Sequence, residues 1–535
     1  MEDTKLLKYI LKEKKFLIFF ILFYGINLFF TMKLELWKGQ LLDTALGKTN
    51  YSIYTLMFMV LSALVIACVF NYVYNLANAK LIVKAEVGLR KNYFTALLKK
   101  NMSEYITIPE GKINADYTDK IATIRSEYFI TLSLVVQHLL LFIVALTTLF
   151  LVNAKVAAVE VLASCVPIFL PVVLKKPLLK KSKAQMQEIE KHFSLVQTWL
   201  KGFDIIKVFS AEKYLIFRYD KTNELLRKKE MEFENVKTIE TSLSFIGSAF
   251  VHIVMAAYCA YLVFLNSITA GEYYSVMGLI GLLSAPMFWA ARRIKSIYTS
   301  RPARQAMVDF IEAYHKAGIE KLENFTIEAK DVTFGYTEEK ILIDANFTFK
   351  QHEKILILGE SGSGKSTIMK LLSGMYTPDT GSLTIGGVPP AEIKNITDVI
   401  SIQQQEVYIF KMNLMDNLLL DDTIHIETVK ETLTAVGLNK YTSEKYLKET
   451  VIGEEYGFSG GEKKRIGIAR AVLRKRPIMI FDEPFANIDN ENMEKVKHLI
   501  LGIKDATVII ISHIVDDEIK KLFDTIYWFK NGCLN

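Results

Sequence analysis

The residues whose types and spacing could do chemistry lie in the last third of this chain. Gly359-Glu360-Ser361-Gly362-Ser363-Gly364-Lys365-Ser366-Thr367 follows an apolar run at 354–358. A buried strand that feeds a glycine-rich turn and then a helix points backbone N–H groups and a positive helix end at one place, which suits a polyphosphate. This P-loop pattern gives Lys365 the reach for the β and γ phosphates and gives Ser366 a hydroxyl for Mg²⁺. The glycines let the backbone come close where a Cβ would clash. A second apolar run, 478–481, ends in Asp482 and Glu483. Carboxylates at the C-terminal end of an apolar strand bring charge to the edge of a parallel sheet where nucleotides bind. Asp482 is placed to hold the Mg²⁺ shell and Glu483 to polarise an attacking water, because phosphoryl transfer needs a positioned base and little covalent help.

Between these motifs stands Phe458-Ser459-Gly460-Gly461-Glu462, followed by the basic stretch 463–470. A P-loop alone fits many NTPases. With Ser-Gly-Gly-Glu ahead of the acidic strand, the pattern resembles ATP-binding cassette (ABC) proteins, and the resemblance covers essentially the whole chain. It implies ATP and Mg²⁺ as cofactors. It further implies that Tyr336 stacks on adenine, that Gln405 touches Mg²⁺ and senses a membrane domain, and that Ser459, Gly460 and Gly461 cap the γ phosphate of the opposite subunit. Asp489 matches the dimer-contact loop, and His513 matches the switch histidine that reaches the γ phosphate. The chain departs from the family pattern at Phe458 (usually Leu), Glu462 (usually Gln), Gln404 (usually Pro) and Ala486 (usually Ser). None of these removes a phosphate ligand, so Glu462 is expected to alter rate or coupling more than binding.

Something must anchor this motor. The chain has 535 residues, 51% of them hydrophobic, and a mean hydropathy of +0.22, which is too long for one cassette and too apolar for a soluble protein. Apolar stretches of spanning length at 16–32, 53–74, 129–152, 156–174, 243–265 and 274–291 predict six transmembrane helices. Lys5, Lys8, Lys12, Lys14 and Lys15 precede the first, and basic residues crowd 80–125 and 175–237. By the positive-inside rule both termini and the ATPase domain face the cytoplasm. The net charge of +7 is mostly this topology signal. No aromatic-interleaved basic patch stands apart from it, so nucleic acid is not an expected partner. Cys68, Cys165, Cys259 and Cys533 form no disulfide or metal spacing. No cleavable signal peptide and no soluble peptidase precede the first span, so leader cleavage is not expected. Composition points to a bacterial cytoplasmic membrane.

The expected fold is an all-α transmembrane domain of six long helices at 1–318, resembling type I ABC exporters. An α/β P-loop NTPase domain with the ABC α-helical subdomain follows at 319–535. The second and third spans are expected to run past the lipid and break near 108–113, and 202–214 interrupts the connection between the fourth and fifth. Both segments resemble the family's coupling helices. Six spans and one cassette resemble a half-transporter, which implies a dimer, either a homodimer or a heterodimer with a related half. The expected function is ATP-driven, alternating-access export of a peptide or an amphipathic or lipophilic small molecule. Import of a metal chelate and a non-transporting sensor ATPase are the alternatives. The cargo is not readable, though Asn27, Asn71, Gln137, His138, Glu160 and His252 are polar groups within spans that could mark its path.

Overall fold

The computed structural model describes residues 2–100, 102–164, 175–312, 322–360, 363–420, 424–453, 457–513, 517–530 and 532–534. Two compact units divide the chain: Met1–Ala96 with Gly111–Ala313, and Leu97–Glu110 with Tyr314–Asn535. The domain boundary expected at 318–319 lies outside the described residues. The second unit also takes in Leu97–Glu110, which overlaps the first expected coupling segment, 108–113, at residues 108–110.

The N-terminal part of the chain is helical: α1 (Glu2–Lys12), α2 (Lys14–Ala45), α3 (Ile53–Leu98), α4 (Gly111–Val152), α5 (Ala154–Ala163), α6 (Lys175–Lys201), α7 (Phe203–Val208), α8 (Glu212–Phe264), α9 (Ala270–Thr299) and α10 (Arg301–Glu312). Among the described residues, α2, α3, α4 and α8 are long and apolar enough to cross a membrane, and they hold four of the expected spans. The span at 156–174 begins in α5 and continues into residues outside the description, and that at 274–291 lies within α9. Cys165 also falls outside the described residues.

The reason these helices need lipid is visible on α3. Phe58, Leu61, Val65, Val69 and Tyr72 recur at helical spacing and are all exposed, Phe58 by 72%. Such a stripe is costly in water and suited to hydrocarbon, and the helix satisfies its own backbone groups. At 46 residues α3 spans about 69 Å, more than twice a hydrocarbon core of roughly 30 Å. The chain breaks between Leu98 and Gly111, and again at Gly202 and at Ser210, where φ is +50°. The second falls within the expected 202–214, whereas the first begins earlier than the expected 108–113: α3 already ends at Leu98, a short helix follows at Met102–Ile106, and α4 starts at Gly111.

The bundle core is built on α9, whose Val276, Leu279, Ile280 and Leu283 lie on one face and pack with Met32, Leu149, Met255 and Cys259. The N-terminus of α9 is fixed twice. Thr269 and Glu272 form a capping box, and Asp43, at the end of α2, accepts from the Gly271 N–H at 2.8 Å and from the Thr269 hydroxyl at 2.5 Å. Helix α1 is amphipathic: it buries Leu6 and Ile10 in a second cluster with Leu89, Phe129 and Met307, and Lys5 pairs with Glu312 of α10.

The described residues of the second unit hold three sheets, the smallest an antiparallel pair of two-residue strands, β6 (Met412–Asn413) and β7 (Val451–Ile452). The other two are larger. One is antiparallel, in the order β2 (Leu342–Phe349), β1 (Ile327–Phe334), β4 (Thr380–Ile385). The other is six-stranded, in the order β11 (Cys533–Leu534), β10 (Thr525–Lys530), β3 (Lys354–Gly359), β9 (Thr507–Ser512), β8 (Ile478–Asp482), β5 (Ile400–Gln403), and all its pairings are parallel except β10 with β11. Strands β8 and β9 are buried throughout, as apolar runs in a parallel sheet covered on both faces should be. Helix α11 (Lys365–Leu372) follows β3. A helical region that includes α12 (Leu414–Leu419), α13 (Ile426–Ala435) and the N-terminal half of α14 (Gly460–Leu473) precedes β8, and α15 (Asn490–Leu501) follows it. The antiparallel sheet has no counterpart in the sequence expectation.

Candidate functional site

Strand order decides which residues meet. Strands β3, β9, β8 and β5 are neighbours and run parallel, so their C-terminal ends share one edge. Leu358 pairs with Ser512, Ile511 with Asp482 and Phe481 with Gln403. One residue beyond those pairs, the chain delivers Gly359 of the glycine-rich loop, His513, Glu483 and Gln404. Four stretches far apart in sequence therefore converge because their strands lie in register. This is the edge at which ligands bind in open α/β sheets.

In the loop, the Gly364 backbone sits at φ +110°, a region that L side chains rarely adopt. A Cβ on Gly359 would stand 2.7 Å from the Phe529 carbonyl oxygen, so β10 leaves no room there for a side chain. Lys365 is buried, and its ammonium donates to the carbonyls of Gly359 at 2.7 Å and Glu360 at 2.6 Å. Burial lowers its pKa, against the pull of Glu483 and Asp482. Ser366 donates its hydroxyl to Asp482 Oδ2 at 3.2 Å. Ser361 and Gly362 lie outside the described residues. Ser363 Oγ is a buried polar atom with no partner, and Thr367 is buried.

Asp482 and Glu483 are both buried, and burial raises both carboxyls above their ordinary range. For Glu483 the charge of Asp482 adds to that rise, while His513, Lys365 and Lys464 oppose it. Its backbone is at φ +50°, uncommon outside glycine, and is held there by its N–H donating to the Ile511 carbonyl at 2.9 Å. Its carboxylate meets His513 Nδ1 and accepts from Ser512 Oγ at 3.4 Å. Lys464 is not among the site residues expected from the sequence. This buried lysine donates to the carbonyls of Glu483 at 2.9 Å and Ala486 at 3.0 Å, which ties the turn after β8 to α14. The only signal for it was its place in the basic stretch after the Ser-Gly-Gly-Glu motif.

Tyr336 stands at the end of β1, where its hydroxyl lies 3.3 Å from Thr367 Oγ1. Its ring meets Phe334 and Tyr376 edge-on, and the Lys370 ammonium is 5.0 Å from the ring centre. Gln405 is exposed just beyond β5. Its neighbour Gln403 is the buried one, donating to the Gln404 and Asp482 carbonyls. Arg470 of α14, also missed, holds this segment by donating to the Tyr408 carbonyl at 3.2 Å and to that of Asn417 at 2.8 Å.

Ser459 and Gly460 are exposed at the N-terminus of α14, Gly461 is half-buried, and Asp489 is exposed. The described contacts of these residues are with their own surroundings, not with the phosphate loop. Ser459 and Glu462 form a capping box, and Asp489 caps α15 by accepting from the Asn492 side-chain amide at 2.9 Å and its backbone N–H at 3.1 Å, bonds that lower its pKa. The loop, the acidic pair and His513 thus form one constellation, while the Ser459 segment is presented outward.

The residues present suit a magnesium nucleotide. The edge offers a lysine, a glycine backbone without Cβ obstruction and a hard oxygen pair, Ser366 and Asp482, of the kind that binds Mg²⁺.

The polar groups of the spans are mostly engaged by their own bundle. Asn27 donates to the Ala67 carbonyl at 2.7 Å, and Asn71 Oδ1 accepts from Asn75 at 2.9 Å. Gln137 Nε2 reaches Ser133 Oγ at 3.4 Å, and His252 Nε2 lies 2.8 Å from Ser284 Oγ. Glu160 accepts from Ser164 at 3.0 Å and leaves Oε2 without a partner, and His138 is half-buried.

Comparison with known proteins agrees with this architecture. The "ABC transporter transmembrane region" family model matches residues 17–287, more than half of the chain, and the "ABC transporter" model matches 342–486. The Mesentericin-Y105 transport/processing ATP-binding protein MesD of Leuconostoc mesenteroides is 25% identical over 445 residues, covering 80% of this chain and 61% of that protein. The ATP-dependent lipid A-core flippase of Haemophilus ducreyi is 24% identical over 488 residues, covering 88% of this chain and 84% of its own length. The chain thus spans about three fifths of the peptide-processing relatives it matches. In fold it superposes on a bacterial Atm1-family ABC exporter with ATP bound, with a TM-score of 0.78 and 18% identity over 97% of this chain and 94% of that one. A helical membrane region followed in one chain by the nucleotide-binding cassette is the plan of an exporter-type half-transporter, and the chain belongs to the ABC transporters.

Proposed function

We propose that this chain is one half of a dimeric, ATP-driven exporter of the bacterial cytoplasmic membrane, moving a peptide or an amphipathic or lipophilic small molecule. The observation that carries this is the convergence of Lys365, Ser366, Asp482, Glu483 and His513 on one sheet edge, in a chain whose other unit presents lipid-suited helices. Lys365 leaves the Gly359 and Glu360 carbonyls for the β and γ phosphates of ATP, and Tyr336 stacks on the adenine. Ser366, Asp482 and Gln405 would hold Mg²⁺, which would neutralise phosphate charge when bound. Glu483 orients the attacking water and accepts its proton. His513, in contact with that carboxylate, fixes its direction and reaches toward the γ phosphate.

The outward-facing Ser459–Gly461 segment and Asp489 complete the site of a second cassette, so closure around ATP requires a dimer. Such closure can drive the membrane helices only if the two access states differ in affinity for ATP, with the closed form binding more tightly. The segments at 108–113 and 202–214 transmit it, and the division of the chain that places 108–110 in the same unit as the cassette supports that role for the first. Both termini face the cytoplasm. The relatives' names support export of peptide or lipid over import or sensing.

The test is steady-state ATPase activity of the purified chain in lipid nanodiscs against peptides, lipophilic cations, lipids and metal chelates. The proposal expects basal hydrolysis stimulated several-fold by a peptide or amphipathic class. Stimulation by metal chelates alone, applied from the external face, would favour import.

A further inference from the structure

The carboxylate of Glu462 lies at the segment that must meet a phosphate, yet charge there is a handicap. Its Oε2 accepts from the Ser459 N–H at 2.9 Å, and the Ser459 Oγ in turn accepts from the Glu462 N–H at 3.2 Å. With a lone pair engaged this way, the serine keeps its own hydrogen free to donate outward. A carboxylate makes this cap firmly, but it brings a negative charge next to an arriving polyanion, a repulsion that grows as the interface loses water. The other oxygen, Oε1, is met by Lys440 Nζ at 2.6 Å and by the Tyr441 hydroxyl at 3.1 Å. The Phe458 ring packs edge-on against Tyr441 with centroids 5.3 Å apart. Both departures within the Ser-Gly-Gly-Glu motif, Phe458 and Glu462, therefore engage the same short turn, Asn439–Tyr441.

We propose that Lys440 is a positioning residue for Ser459: it is the counter-ion that allows a carboxylate at position 462 to orient the serine without repelling the phosphate it caps. This rests on reading Ser459–Gly461 as the phosphate-capping segment of a dimer. A neutral amide at 462 would need no such partner, so the role of Lys440 belongs to this chain's Glu462.

Four chains in nanodiscs decide it: Lys440→Met and Lys440→Arg with Glu462 in place, then Glu462→Gln alone and combined with Lys440→Met. With Glu462 present, Lys440→Met raises the KM for ATP about fivefold, at the upper end for a partly exposed ion pair, with a smaller change in kcat. Lys440→Arg restores the KM to within about twofold, since it keeps the charge. On the Glu462→Gln background, Lys440→Met adds no further rise. An equal rise on both backgrounds, or none with Glu462 present, overturns the proposal. Glu483→Gln measured alongside separates the two failures. Hydrolysis that it leaves intact counts against the parent reading, whereas its loss together with an equal Lys440→Met effect on both backgrounds overturns only the counter-ion role.

Discussion

Asp482 and Asn27 are both buried polar residues, one in the cassette and one in the membrane bundle, and their surroundings differ in kind. Asp482 sits with a second carboxylate, Glu483, and two buried lysines, Lys365 and Lys464, at a sheet edge where backbone at φ +50° is tolerated. Asn27 makes one neutral bond to the carbonyl of a neighbouring helix. The cassette concentrates desolvated charge, which is unfavourable until a polyphosphate and its cation arrive to balance it, and clusters of that kind mark sites that do chemistry. In the bundle, the span polar groups bond within their own helix, as Gln137 does with Ser133, or to a neighbouring helix, as Asn27 and His252 do, a contribution that is modest because partners are easily found. Perturbed, mutually dependent charges thus identify the working part, whereas a polar residue in a span does not by itself mark a path for cargo.

That contrast can be broken at several points. Lys365→Ala should have the largest effect, lowering kcat/KM for ATP by about a thousandfold, the loss expected for a charge donor aimed at the transition state. Activity retained within tenfold would move phosphate binding elsewhere. A pH profile comes next. Burial raises the Glu483 carboxyl, so as pH falls it takes up its proton sooner than a free glutamate and loses its capacity as a base. The acid limb of kcat/KM, which reports the free protein, should therefore begin above the ordinary carboxylate range. A limb at the ordinary position would show that the site is wetter than its burial indicates. Asp43→Ala should destabilise the bundle by about 1 kcal/mol through loss of the α9 cap, seen as a lower midpoint of thermal unfolding in detergent. Asn27→Leu should do least, costing about 0.6 kcal/mol and leaving cargo-stimulated ATPase unchanged. Loss of stimulation in that variant would return Asn27 to the transport path.

Much of the cassette was legible because its chemistry is written in short, ordered motifs whose neighbours in space are fixed by parallel strand register. The glycine-rich loop and the acidic pair could be placed on strand ends from hydropathy, and His513 was placed by the family resemblance. Lys464, Arg470 and Lys440 were not legible, because each acts on backbone carbonyls or on a carboxylate distant in sequence, and a lysine among lysines carries no periodic signal. The antiparallel sheet was missed although β1 and β2 alternate, as in Ala345-Asn346-Phe347-Thr348-Phe349, because positive-φ residues at Asp331 and Asp344 break each alternation into short pieces. In the membrane part, length and hydropathy located four of the six expected spans among the described residues, and the Gly202 break fell as expected, while α3 ended at Leu98, ahead of the expected break near 108–113. The partners of Asn27 and His252 depend on which helix faces are apposed, which hydropathy does not encode.

The most direct test is the ATPase rate of Glu483→Gln beside the unaltered chain in the same nanodiscs, with ATP binding measured on both. Loss of turnover by about a hundredfold or more with ATP binding retained is the outcome predicted for a positioned general base. Turnover undiminished in Glu483→Gln would contradict the account, because the carboxylate at the centre of the sheet edge would then have no part in the chemistry that drives transport.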